Sequence, residues 1–128
     1  MQLKALSPNT YEFSNDTGKY RVDYFYLDAV YRADPGFREA LRALVEKAHA
    51  KVPPAYDVSS IYVYRETEML NQDFSGNADA LRGVYDNDLV SYSRWNQQAI
   101  DVFYLIDEGN VVFDLISNEA VSVPWEFD

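Results

Sequence analysis

Nucleophilic chemistry asks for a base beside a hydroxyl or a thiol, and the chain offers one histidine, His49, and no cysteine. His49 lies on the edge of an apolar helical stripe rather than in a loop, which predicts a surface or half-buried side chain without a catalytic role. Absence of cysteine removes disulfides, thiolate chemistry and Cys-based zinc sites together. No GxSxG, HExxH, Walker loop or GxGxxG occurs, so the common hydrolase, metalloprotease and nucleotide signatures are missing.

Carboxylates offer a second chemistry. "DFSGNADALRGV" spaces Asp73, Ser75, Asn77 and Asp79 like the opening of a calcium loop, but Ala78 stands where the sharp turn needs glycine and Val84 where a bidentate glutamate closes the site. A turn leading into a short helix capped by Asn77 explains the stretch. Asp86 with Asp88, and Asp107 with Glu108, have the types needed to hold magnesium or act as acid and base. Turn formation beside asparagine and glycine accounts for both pairs. The sequence therefore predicts no catalytic residue, no metal ligand and no cofactor.

Recognition is the chemistry left. The chain carries 21 acidic against 11 basic residues, a formal charge of −10, which disfavours direct nucleic-acid binding because phosphate contacts need a basic footprint. The charge is uneven: from residue 83 onward nine acids face one base, Arg94, whereas residues 1–82 hold twelve acids and ten bases. Such polarity steers a basic partner to one side of a molecule. In the acidic part "YSRW" supplies Tyr92 and Trp95, large rigid groups of the kind that anchor interfaces. Six contact residues are expected: Asp86, Asp88, Asp107 and Glu108 for steering, and Tyr92 and Trp95 as anchors.

Elements must position these groups. "TYEFS" and "KYRVDYFYLDAVYR" alternate around "NDTG" and read as a hairpin whose second strand runs over 19–32, with Tyr20, Val22, Tyr24 and Tyr26 on one face and Phe25, Leu27 and Ala29 on the other. Asp34 and Pro35 announce a helix over 35–51, striped by Phe37, Ala40, Leu41, Leu44, Val45 and Ala48, with Arg38 and Arg42 as a small basic ridge opposite. "VSSIYVYRE" repeats the aromatic alternation with Tyr62 and Tyr64 against Ile61 and Val63. The polar stretch 67–87 breaks the pattern, with a short helix expected near 77–84. "DLVSYSRW" reads as a strand, and "AIDVFYLIDEGNVVFDLIS" as a hairpin of two central strands; the tail is expected to dock Trp125 and Phe127.

Length and an aromatic share of 16% suffice for one core, so a single domain, 1–128, is expected. The class is α+β: a largely antiparallel twisted sheet of five or six strands with the 35–51 helix on one face. Tyr20, Tyr24, Tyr26, Tyr62 and Tyr64 then line the opposite face, where they either pack beneath the 67–87 segment or stay open as a contact surface. The profile predicts a non-catalytic acidic binding protein with a basic protein partner, such as the immunity protein of a bacterial toxin. Alternatives are a small-molecule or metal-binding domain with 67–88 as a lid, and an inhibitor that mimics nucleic acid. No apolar run spans a membrane and no leader pattern opens the chain, so a cytoplasmic protein is expected; the tyrosine-rich second strand is also a candidate dimer edge.

Overall fold

A computed structural model describes residues 1–28, 34–97 and 99–126, and of residues 7–9 the backbone only. Among the described residues, seven strands form a single sheet whose spatial order is the order of the chain: β1 (Leu3–Asn15), β2 (Gly18–Leu27), β3 (Val58–Arg65), β4 (Leu89–Asn96), β5 (Ala99–Asp107), β6 (Asn110–Asp114) and β7 (Glu119–Pro124). Neighbours are antiparallel except β2 and β3, which run parallel. That exception has a cause: helix α1 (Pro35–Ala50) lies between them in the chain, and parallel neighbours need such a crossover. The class is α+β as expected, with one or two more strands than the expected five or six.

The helix begins where the sequence places its cap. The Asp34 carboxylate accepts from the Phe37 N–H and Pro35 occupies the first turn. Phe37, Leu41 and Val45 are buried on Leu27, Ile61, Val63, Val90, Phe103, Leu105 and Leu115. Arg38 of the outer ridge lies over the Phe113 ring at 4.2 Å, so part of the basic ridge is packed against β6.

The other face is aromatic. Tyr24, Tyr26, Tyr62 and Tyr64 are buried there, with Leu70, Phe74 and Leu81 of the 66–88 segment closed over them. Of the two expectations for these tyrosines, packing holds for the four, while Tyr20 stays half-buried, stacked on Phe13 at 4.8 Å. The segment is tied down by its own polar groups. Thr67 Oγ1 accepts from the Met69 and Leu70 N–H groups, Asn77 caps helix α2 (Ala78–Leu81) through the Ala80 N–H, and the Tyr64 hydroxyl donates to the Leu81 carbonyl at 2.7 Å.

Three boundaries differ from expectation. Strand β1 starts at Leu3 rather than near Thr10, with a register break between Ala5 and Thr10 around Pro8, which has no N–H to give to a ladder. Strand β7 is an addition; its residues are nearly all exposed, so no buried face marks it. Strand β2 ends at Leu27, and the expected continuation through Ala29 and Arg32 lies outside the described residues, as does the docking of Phe127. Among the described residues β2 is flanked by β1 and β3, so Gly18–Leu27 has no free backbone edge, and the outer strands are β1 and β7. Among the described residues no helix is long and apolar enough to cross a membrane.

Candidate functional site

The 66–88 segment covers one part of the aromatic face. Beyond it, β4 to β7 leave a groove of about 620 Å³, walled by Tyr92, Tyr104, Val102, Val121 and Trp125. Strand pairing puts Tyr92 opposite Tyr104 and Tyr104 opposite Asp114, so alternate positions on three strands project into the same groove. Its rings continue the core: Tyr24 stacks on Tyr62 at 5.5 Å, Tyr62 meets Tyr92 at 4.9 Å, and Tyr92 meets Trp125 at 5.0 Å. The inner members are sealed, and burial holds the Tyr62 and Tyr64 hydroxyls well above the ordinary tyrosine range, so they stay neutral. The outer members, Tyr92, Tyr104 and Trp125, are half-buried and reachable.

Acids border this groove. Asp114 and Glu126 line it, and Glu119 stands directly across the β6–β7 ladder from Asp114. Like charges in that position repel. Arg94 also lines the groove, but Asp101 engages its guanidinium through two bonds, 3.0 and 2.9 Å, which raises the Arg94 pKa and lowers that of Asp101. Among the described residues, no ion pair involves Glu108, Asp114, Glu119 or Glu126.

Three of the six expected contact residues gather at one end of the sheet. Arg65 stands between Asp88, at 3.6 Å, and Asp107, at 4.0 Å, and donates to the Asn87 carbonyl. Glu108 sits on the two-residue turn after Asp107, with φ of 49° ahead of Gly109 at 79°. Asp86 does not join them: its Oδ1 is enclosed without a hydrogen-bond partner among the described residues, and desolvation raises its pKa. The Trp125 backbone N–H donates to the Gly109 carbonyl at 2.8 Å, so the acidic end and the aromatic groove adjoin.

Tyr92 reaches the groove; Trp95 does not. Trp95 lies on the helix face beside His49, Val52 and Pro54. Tyr104, Trp125 and Asp114 are groove residues outside the expected six, although their alternation with Tyr92 carries the signal. His49 is not a surface residue either. It is 7% exposed, with Nε2 at 2.8 Å from Ser93 Oγ and Nδ1 at 3.4 Å from Ser59 Oγ, and both serines are buried. Among the described residues no three His, Asp or Glu side chains are arranged to hold a metal ion.

Comparison with family models, with curated proteins and with solved structures finds no match.

Proposed function

We propose that this chain is a non-catalytic binding protein that presents the β4–β7 groove and its acidic surroundings to a basic site on another protein, acting as an inhibitor of the kind that neutralises a bacterial toxin. One observation carries the reading. Strand order equals chain order, so the charge gradient of the sequence becomes a gradient across the sheet: residues 99–126 hold six acids and no lysine or arginine, and they form most of the open aromatic groove, which β4 completes with Tyr92 and the Asp101-paired Arg94. Attraction and docking then share one place. Acids raise the encounter rate, while Tyr92, Tyr104 and Trp125 supply rigid apolar area with polar tips that slows release.

The test is affinity capture from the protein's own cell type at low and high salt, with wild type beside Tyr92→Ala/Trp125→Ala. The expected result is a basic protein held at low salt, released at high salt and held poorly by the double variant. Capture that ignores salt, or that the double variant retains in full, contradicts the proposal.

A further inference from the structure

On the helix face, at the opposite end of the charge gradient, the C-terminal half of α1 stands over the β1–β2 edge and leaves a cavity of about 390 Å³. Its walls are of two kinds. Leu3, Phe25, Leu44 and Ile61 make an apolar floor. Arg21, Lys47 and Lys51 supply three cations, in a chain whose net charge is −10.

The cations are differently placed. Lys47 and Lys51 are one helical turn apart at the end of α1, exposed, and in no ion pair among the described residues. Favourable interaction with the helix C-terminus accounts for lysines there, but not for the apolar floor beneath them or for an arginine brought from β2. Arg21 is fixed: Nε donates to Asp23 Oδ2 at 2.9 Å, Nη2 to Asp23 Oδ1 at 3.2 Å, and the guanidinium lies 5.6 Å from the Tyr56 ring centre. Asp23 takes two of its five N–H donors. Asp23 itself is 3% exposed and also accepts from Thr10 Oγ1 at 2.6 Å, so the polar wall is held in place.

We propose that this cavity binds a small monocarboxylate with a short apolar body, its carboxylate at the Lys47, Lys51 and Arg21 rim and its body on Leu3, Phe25, Leu44 and Ile61. Asp23 largely offsets the charge of Arg21, so Lys47 and Lys51 supply the net positive charge that receives the carboxylate. Size selects the body, because ligand cavities run from about 300 to about 1,000 Å³ and this one is near the lower bound. The site lies across the sheet from the groove and stands apart from the protein-binding proposal.

Octanoate, below its micellar concentration, is the probe, titrated into the free chain at neutral pH and followed by calorimetry and by backbone and methyl resonances. The expected result is saturable one-to-one binding that moves the Phe25 and Ile61 signals and weakens about tenfold or more in Lys47→Gln/Lys51→Gln, since hydrogen bonds between charged groups are the strong ones. Octanol reports the apolar body without charge, inorganic phosphate the charge without a body, and octyltrimethylammonium the opposite sign; all three are expected to bind far more weakly. Equal binding by any of them, an unaffected double variant, shifts confined to the β4–β7 groove, or no saturable binding overturns the proposal.

Discussion

Protonating His49 means placing a charge where little water reaches. Burial lowers its pKa from 6.5 to about 4, with nearby Asp23 opposing the shift less strongly. The unfolded chain therefore takes up the proton first as the pH falls. Stability from neutral His49 is fully present above pH 6.5 and is lost progressively toward pH 4, about 3 kcal/mol in all. Urea unfolding at pH 7 and near pH 4 checks this: wild type is expected to lose more than His49→Gln between the two, and equal losses contradict it. Glu108 is the second residue with a measurable consequence. It adopts the left-handed conformation, at φ 49°, in a turn where Asn-Gly is the better-suited pair. Glu108→Asn is expected to stabilise the fold by up to about 1 kcal/mol while slowing capture of a basic partner. A variant that unfolds more easily would show that the glutamate serves the turn rather than the surface.

Among the elements, the 66–88 segment decides how much aromatic surface is open. Phe74 is buried, in edge-to-face contact with Tyr85 at 5.8 Å, and closes the segment onto the sheet. Phe74→Ala is expected to cost about 3–5 kcal/mol and to expose the Tyr26 and Tyr64 region to a hydrophobic dye; a loss well under 1 kcal/mol would mean that the segment is not part of the core. Helix α1 is legible in the sequence because a cap, a proline and an apolar stripe all agree on it. The aromatic face is legible from the parity of Tyr24, Tyr26, Tyr62 and Tyr64. Strand β7 is hidden because an exposed outer strand buries too little to leave a pattern. Strand periodicity also separates Tyr92 from Trp95: three residues apart on one strand, they face opposite sides, so pairing them as anchors of one surface conflicts with the alternation of β4 itself.

At the scale of the molecule, the seven strands among the described residues keep the order of the chain, so composition along the sequence becomes charge across the sheet. The size of the gradient can be counted from residues; its direction in space cannot, because a different strand order would interleave the acids with the bases. Asp114 faces Glu119 across the β6–β7 ladder while its Oδ1 accepts from the Ile116 and Ser117 N–H groups, so two acids meet beside the groove and one of them also holds the turn. Low-salt capture by two charge-matched variants separates a local field from overall charge. One is Asp114→Lys/Glu119→Lys/Glu126→Lys, around the groove, and the other is Glu39→Lys/Glu46→Lys/Glu68→Lys, on the helix and the 66–88 segment away from the groove lining. The groove variant is expected to lose association by roughly tenfold or more while the control holds its partner like wild type. Equal loss in both, or none in either, would refute the coupling of acidic field and aromatic groove.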